Sequence, residues 1–253
     1  MKKCFVFLSM AMILAGVLFA LSAERCQATT KVVVPKGNPI VIDGIFSKGE
    51  WDDALKLPIS ENYHIYLKVY SDTLAIGLKS AKPIGMLLTE IYITSNEKEF
   101  YNLHSSAALG EGIIPFPSDL KSLKFSVNNN SHWEASCDVI DKVEEEKWIA
   151  AGKPNDREKY DKIFKRKDGK EYKIELNKFS GTRLKISVGL RDAYEAAHFP
   201  DNFDFKSWEN WLELVLPEGK SVEDQEAEKQ KIAVPDNHIS PRVDRWRFEI
   251  NCF

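Results

Sequence analysis

The side chains best suited to chemistry lie close together in the segment 101–106. Successive side chains of a β-strand point to opposite faces, so Asn102 and His104 share one face and Tyr101 lies on the other. An imidazole and an amide beside the carboxylate of Glu90 can hydrogen-bond the hydroxyl groups of a polar ligand. The sequence therefore predicts a concave polar ligand surface. The alternative is a solvated strand face followed by a glycine-rich turn at 107–112.

Arg191 and Asp192 lie at the end of a strand-like segment, 184–191. At the end of a central strand their side chains can reach the rim of the same surface, or they can pair with each other. We therefore include Arg191 among the candidate ligand-binding residues.

Catalytic motifs are absent from the sequence. The five histidines are isolated, and no His-x-x-x-His, Cys-x-x-Cys or Gly-x-Ser-x-Gly motif occurs. The sequence thus gives no support for zinc or serine-hydrolase chemistry. A carboxylate pair for glycoside hydrolysis stays open, because the separation of acidic groups cannot be read from the sequence. We expect a protein that is not an enzyme.

Short segments rich in β-branched and aromatic residues recur along the chain, with polar turns between them. In 184–190 the apolar side chains occupy every second position, which indicates a strand with one buried face. The pattern predicts an all-β fold, an antiparallel jelly-roll-like β-sandwich. The predicted strands are 31–34, 63–70, 73–79, 88–94, 99–104, 122–127, 132–139, 171–176, 184–191 and 211–216.

Asp43 and Gly44 form a turn dipeptide between the strand-like run 40–42 and Trp51. Asp-Gly tolerates positive φ, and Trp51 returns a large apolar surface to the layer that the chain has just left. We therefore predict that this segment is the opening hairpin of the sandwich.

The pattern of Ile42-Asp43-Gly44, then Glu50-Trp51 and Ala54, resembles the N-terminal signature of family 9 carbohydrate-binding modules and of the wider DOMON-like β-sandwich group. The resemblance continues through 73–78, 89–93 and 211–217. It implies an extracytoplasmic jelly-roll-like sandwich that binds the end of a sugar or, in relatives, haem.

In that family two tryptophans sandwich the sugar ring, and nearby carboxylates and amides bond its hydroxyl groups. The resemblance places the carboxylate at Glu90 and the second tryptophan at Trp208, while Ile84 stands at the position of the first. Tyr101 or Trp148 can supply the missing aromatic ring.

Two further ligands stay open. The resemblance implies haem ligation at Met86, for which a methionine that fills a core gap is the alternative. The segment 201–204 places side-chain oxygens close together on a loop, which suits calcium without matching an EF-hand, and a solvated turn is the alternative. The simplest expectation is that the protein uses no cofactor.

The N-terminus predicts export. Lys2 and Lys3 precede an apolar stretch over 5–23 and a processing point at Ala28, which predicts a signal peptide over 1–28 and a secreted or periplasmic protein. The stretch is also long enough for an uncleaved membrane anchor. The net charge of −3 attracts no nucleic acid. After cleavage Cys137 and Cys252 remain, either as a disulfide or as two thiols.

Two segments depart from the strand pattern. Residues 143–170 carry dense mixed charge and predict an insertion with helical turns, in which Trp148 and Tyr160 fold back onto the sandwich or join a ligand rim. Residues 218–253 predict a charged helix that begins with a capping box at Ser221, followed by an edge strand at 245–250. We expect one sandwich domain over 29–217 with this tail.

These observations favour a secreted, non-catalytic module that binds carbohydrate or a related small polar ligand. The alternative is a structural or protein-interaction sandwich that docks a protein partner through the C-terminal tail. A haem-binding domain or a glycoside-processing enzyme is the third hypothesis. The candidate ligand-binding residues are Glu90, Tyr101, Asn102, His104, Arg191 and Trp208.

Overall fold

The computed structural model describes residues 30–96, 98–116, 126–127, 132–179 and 183–217. The predicted signal peptide, the tail 218–253 with Cys252, and most of the predicted strand 122–127 lie outside these residues. Within the described part, no helix has the length and apolar character needed to cross a bilayer.

The described chain is built from β-strands in two sheets, as the sequence predicts. In chain order the strands are β1 (Lys31–Val33), β2 (Leu55–Pro58), β3 (Tyr63–Tyr70), β4 (Thr73–Ile84), β5 (Leu88–Thr94), β6 (Glu99–Ser105), β7 (Leu109–Pro115), β8 (Ser126–Val127), β9 (Trp133–Ala135), β10 (Lys167–Glu175), β11 (Arg183–Arg191), β12 (Ala196–Phe199) and β13 (Leu212–Val215).

The first sheet has the order β1-β13-β11-β5-β6-β7-β8, and β12 also pairs with β11. The second sheet has the order β2-β3-β4-β10-β9. Neighbouring strands are antiparallel except β1 and β13, which run parallel. The fold is therefore an all-β sandwich of two essentially antiparallel sheets.

The core lies between the two sheets and follows directly from period-two alternation. Ile91 and Ile93 of β5 and Ile186 and Val188 of β11 are fully buried and belong to the same apolar cluster as Ile65, Leu67, Leu74, Ile76 and Leu78 of the second sheet. Burial of these branched side chains supplies the hydrophobic stabilisation of the sandwich.

One end of this interior is polar. The ammonium groups of Lys167 and Lys170 both contact the carboxylate of Asp138, and all three side chains are almost inaccessible to solvent. Burial and the nearby Lys167 charge lower the pKa of Lys170 to about 7, although the negative charge of Asp138 acts to raise it. Lys170 Nζ also donates to Ser105 Oγ (3.1 Å) and to the carbonyl oxygen of Ser106 (3.0 Å). The half-buried Cys137 lies beside this cluster, and its predicted pairing with Cys252 stays a prediction.

The outer face of the second sheet is covered by the irregular segment 35–54. Trp51 is buried as predicted, at 5% exposure, and stacks on Phe46 with ring centroids 5.3 Å apart. The predicted hairpin is wrong, because 40–42 forms no strand and the backbone N–H groups of Asp43 and Gly44 donate instead to Glu171 Oε2 of β10 (3.1 and 2.9 Å). Gly44 has φ +82°, so the Asp-Gly turn itself is present.

The outer face of the first sheet is covered in its middle by aromatic rings from the segment that precedes β13. Trp211 is fully buried and packs edge-on against Phe100, at a centroid distance of 5.3 Å. Phe203 stacks on Tyr92 at 5.2 Å and contacts Phe205 at 4.4 Å. The two ends of this face carry polar side chains, and each end holds a candidate site.

Several element boundaries differ from the sequence predictions. The alternative interpretation of 107–112 as a glycine-rich turn is wrong from Leu109 onwards, since β7 begins there and pairs with β6 along its whole length. Strands β2 and β12 also arise where none is predicted. Each of these strands is fixed by antiparallel pairing with a strand next to it in chain order, which propensity alone does not show.

The insertion contains the predicted helical turns. Helix α1 (Lys142–Ala150) begins after Asp141, and helix α2 (Arg157–Asp161) begins after Asp156; each aspartate accepts hydrogen bonds from two backbone N–H groups of its helix. Trp148 packs edge-on against Tyr160, with centroids 5.6 Å apart. The two aromatic side chains line a groove with Met86, Lys153 and Arg157.

Candidate functional site

Three of the predicted site residues lie together on the outer face of the first sheet. Glu90 of β5 is directly opposite His104 of β6, and Asn102 is the next residue along β6 on the same face. This is the arrangement that alternation predicts. Arg191 is exposed on the same face at this end, where it pairs in register with Leu88.

Glu90 and His104 are in direct contact. The imidazole Nδ1 lies 2.7 Å from Glu90 Oε1, and the two side chains are 22–23% exposed. An ionised carboxylate only accepts hydrogen bonds, so the proton of this contact is on Nδ1, and in the neutral imidazole Nε2 is then an acceptor. The pair thus presents a preset imidazole tautomer at the surface.

Two buried oxygen atoms beside this pair lack a hydrogen-bond partner within the described structure: Glu90 Oε2 and Asn102 Oδ1. Asn102 is 1% exposed. An unsatisfied buried acceptor costs about 1–3 kcal/mol, so both atoms call for a donor from a bound water or ligand. Burial, aided by the charge of Glu90, raises the pKa of the neighbouring Tyr92 and keeps its phenol protonated.

His198 is a further residue at this end that the sequence interpretation missed. A Cβ atom placed on Gly189 would lie 3.1 Å from His198 Cε1 and 3.7 Å from Glu90 Cβ, so the absence of a side chain at Gly189 lets the imidazole approach Glu90. The ring of His198 stacks on Phe203 at 5.8 Å. The available signal was the alternation in 196–199, which puts His198 and Ala196 on one face.

Tyr101 and Asp192 take part in other contacts. Tyr101 points to the opposite face from His104 and packs edge-on against Phe179 at 5.6 Å. Asp192 does not pair with Arg191; its carboxylate accepts hydrogen bonds from the Tyr63 hydroxyl and from the backbone N–H groups of Tyr194 and Glu195. Arg191 therefore stays exposed on the outer face.

Trp208 lies at the other end of the same face. It lines a cleft with Thr94, which follows Glu90 by four residues along β5 and is therefore about 13 Å from it. The indole stacks on Phe116 at 5.4 Å, and the Lys185 ammonium lies 5.1 Å from the indole centroid and donates to the Trp208 carbonyl oxygen (3.3 Å). The structure thus separates Trp208 from Glu90 and His104.

The cleft at Trp208 has a volume of about 330 Å³. Its lining combines one aromatic ring with hydroxyl, amide, cationic and anionic side chains. Arg183 Nε lies 3.4 Å from Glu213 Oε1, and Lys31 Nζ lies 3.6 Å from the same oxygen. The lining residues are Thr94, Ser95, Asn96, Arg183, Leu184, Lys185, Trp208 and Glu213.

Most of these lining residues were not predicted from the sequence. Arg183 and Lys185 alternate with the core residues Leu184 and Ile186 on β11, so their outward orientation was readable. Their position beside Trp208 was not, because it depends on how the loop before β13 folds over the sheet.

The structure also locates the residues considered for cofactors. Met86 lies in the groove of the insertion, and its backbone N–H donates to Asp161 Oδ1 (2.8 Å). Asp204 Oδ1 accepts from the Lys206 backbone N–H (2.9 Å) in a local turn. Within the described ranges, no three His, Cys, Asp or Glu side chains gather closely enough to hold a metal ion. The expectation of no cofactor, with haem and calcium as its alternatives, stays a prediction.

Comparison with known proteins gives one distant structural similarity. No protein-family model matches the chain, and the search of curated proteins finds no similar sequence. A proposed carbohydrate-binding protein from Bacteroides uniformis ATCC 8492 is similar in structure, with a TM-score of 0.42 and 8% identity over 75% of this chain and 100% of that one. A similarity of this size shows neither a common family nor a common ligand, and the resemblance to family 9 carbohydrate-binding modules stays a prediction.

Proposed function

We propose that this protein binds a carbohydrate, or a related small polar ligand, in the cleft at Trp208. One observation carries the proposal: an indole ring and six polar or charged side chains converge on one open concavity of about 330 Å³. That volume falls in the range of small-molecule sites, about 300–1,000 Å³.

The chemistry of the lining suits a sugar. The C–H faces of a pyranose ring pack on aromatic surfaces, and its hydroxyl groups need both donors and acceptors. Lys185 and Arg183 provide N–H donors, Glu213 provides an acceptor, and Asn96 provides both. Trp208 is half-buried, so part of the indole is open to a ligand.

The charges of the cleft favour an acidic sugar. Two cationic side chains, Arg183 and Lys185, line it against the single carboxylate of Glu213, which Arg183 and Lys31 already share. The carboxylate of a uronic acid can pair with the Lys185 ammonium. This pairing replaces the cation–π contact of Lys185 with Trp208, which is worth about 0.5–1 kcal/mol at an exposed site.

The cleft is proposed as a binding site and not as a glycosidase centre. Glycoside hydrolysis uses two carboxyl groups, and Glu213 is the one carboxylate among the described lining residues. Secretion or periplasmic location belongs to the same proposal, and its support is the apolar N-terminal segment of the sequence.

Calorimetric titration of the protein with neutral and uronic oligosaccharides tests the proposal. We expect binding of at least one uronic oligosaccharide and a loss of about tenfold in affinity in Trp208→Ala, because an aromatic contact contributes about 0.5–1.5 kcal/mol beyond its buried area. Trp148→Ala is the matched control, since its indole lies in the groove of the insertion.

Binding that is equal in Trp208→Ala and the parent protein would place the ligand elsewhere. Failure of every oligosaccharide to bind would reject the carbohydrate proposal as a whole.

A further inference from the structure

Ser106, His104 and Glu90 form a hydrogen-bonded row on the outer face of the first sheet. Ser106 Oγ lies 3.0 Å from His104 Nε2, and His104 Nδ1 lies 2.7 Å from Glu90 Oε1. A hydroxyl, an imidazole that can take its proton and a carboxylate that orients the imidazole are the three parts of an activated serine nucleophile. Such a set is recognised by geometry, so the absence of a Gly-x-Ser-x-Gly motif does not exclude it.

The two hydrogen bonds of the row can form together, with each proton directed from Ser106 to His104 and from His104 to Glu90. With the proton on Nδ1, His104 donates to Glu90 and accepts from the Ser106 hydroxyl through Nε2. Ser106 Oγ also lies 3.4 Å from the carbonyl oxygen and from the amide nitrogen of Ala108. Both distances are longer than the 3.0 Å contact with the imidazole, so the hydroxyl proton is directed to His104.

The backbone of Ser106 is held by the buried polar cluster. Its carbonyl oxygen accepts from Lys170 Nζ (3.0 Å) and from the backbone N–H of Asp138 (2.7 Å). Lys170 is fully buried and also contacts Asp138. A rigid support of this kind keeps a reacting group in place, while the half-buried Ser106 side chain remains open to solvent.

We infer that Ser106 is a nucleophile that cleaves carboxylic esters, with His104 as the general base and Glu90 as the positioning residue. Ser106 Oγ attacks the ester carbonyl carbon and its proton passes to His104 Nε2. The tetrahedral intermediate then expels the alkoxide, which takes the proton from Nε2, and leaves an acyl-serine. Water attacks the acyl group with His104 again as the base, so the products are one carboxylic acid and one alcohol.

The substrate class follows from the surroundings of Ser106. The row lies on a sheet face, and the His104 and Glu90 side chains are 22–23% exposed, which suits a small acyl group on a larger alcohol. Arg191 projects from the same end of the face, two strands from Ser106 and therefore about 10 Å from it between Cα atoms. A cation at that distance suits an alcohol portion that carries negative charge.

This inference does not depend on the proposed carbohydrate function. The Trp208 cleft lies about 13 Å away along β5, and the reaction of Ser106 with a small electrophile needs no ligand in that cleft.

Covalent labelling with an alkyl fluorophosphonate tests the inference. Ser106 Oγ would form a bond to phosphorus as fluoride leaves and the hydroxyl proton passes to His104 Nε2. We expect mass spectrometry of peptides from the labelled full-length protein to find the adduct on Ser106, together with hydrolysis of p-nitrophenyl acetate. Ser106→Ala should abolish both signals.

Two variants separate chemistry from structure. His104→Gln should slow labelling by about 10²–10⁴-fold, the usual contribution of a general base. Glu90→Gln should slow it by a smaller factor and change the pH profile of labelling, an effect that a merely structural role would not give, and should remove the downfield-shifted Nδ1 proton resonance of His104. Ser60→Ala is the matched control, because Ser60 Oγ accepts from the N–H two residues on (3.2 Å), as Ser106 does.

An adduct on another serine, or no adduct at all, would overturn the inference. Unchanged ester hydrolysis in a folded Ser106→Ala would do the same. If that variant does not fold, the site of labelling in the parent protein still decides. Ester cleavage by a protein that binds no oligosaccharide would support the inference while the carbohydrate proposal fails.

Discussion

The two outer faces of the sandwich carry lysine–tryptophan pairs of nearly the same geometry. Lys68 Nζ lies 5.2 Å from the Trp51 ring on the second sheet, and Lys185 Nζ lies 5.1 Å from the Trp208 ring on the first. Lys68 is fully buried, whereas Lys185 and Trp208 are only half-buried. The same lysine–tryptophan contact thus occurs once in a buried site and once at an open cleft.

The difference lies in what covers each face. The charged groups nearest Trp51 are paired: Lys68 donates to Asp53 of the segment 35–54 (2.7 Å), and Glu171 accepts from Trp51 Nε1 (3.1 Å). Partial burial acts to raise the pKa of Asp53, but the Lys68 ammonium and the Asn38 amide hold it below its usual range. In the part of the chain that the structure describes, the first sheet is covered in its middle, and polar side chains at both ends remain available to ligands.

Replacement of the two tryptophans should give the largest difference in stability between the two faces. Trp51→Ala should lower the free energy of unfolding by about 3–5 kcal/mol, because it empties a core site and removes a donor from Glu171. Trp208→Ala should cost only about 1 kcal/mol, since the indole is half-buried and its main ring contact is Phe116. Chemical denaturation measures both values. Equal losses would show that the two faces are sealed alike.

Replacement of the two lysines gives a smaller effect in the same direction. Lys68→Met should lower the free energy of unfolding by about 2 kcal/mol, because Asp53 and the Glu50 carbonyl lose a charged donor. Lys185→Met should change it by less than about 0.5 kcal/mol. A larger loss in Lys185→Met than in Lys68→Met would contradict the assignment of structural and ligand-binding roles.

A third lysine, Lys170, belongs to neither face, and its contribution to the free energy of unfolding should depend on pH. Its pKa falls to about 7 on folding, so the unfolded chain binds more protons between pH 7 and the ordinary value near 10.5. Stability from this group should rise with pH across that window, by at most about 1.4 kcal/mol per pH unit, and be lost as pH falls through 7. Denaturation of the parent and of Lys170→Met at pH 7, 8 and 9 measures the difference. A parallel pH dependence in the two proteins would assign the slope to other groups.

The sequence predicts the strands whose alternation is regular and misses those fixed by their neighbours. Strands β3 and β5 have the predicted bounds, because branched side chains at every second position leave one register for burial. Strand β7 is not among the predicted strands, because Gly110 and Gly112 weaken the strand pattern; its pairing with β6 overrides propensity.

The candidate sites show the same division. His104 and Ser106 are two residues apart on one strand, so their shared face could be predicted from the sequence. The contact of His104 with Glu90 depends on the register of the β5–β6 hairpin, and the Trp208 cleft depends on a loop that folds over the sheet. Neither is a local property of the chain.

The parallel pair β1–β13 joins Lys31 to Glu213, nearly the full length of the described chain. Because loop closure over such a span is entropically costly, this edge should form late in folding, after the antiparallel neighbours have paired. A chain truncated before Leu212 leaves both β1 and the edge of β11 without a partner, and such unpaired edges promote aggregation. Expression of nested C-terminal deletions should therefore show an abrupt fall in solubility when β13 is lost.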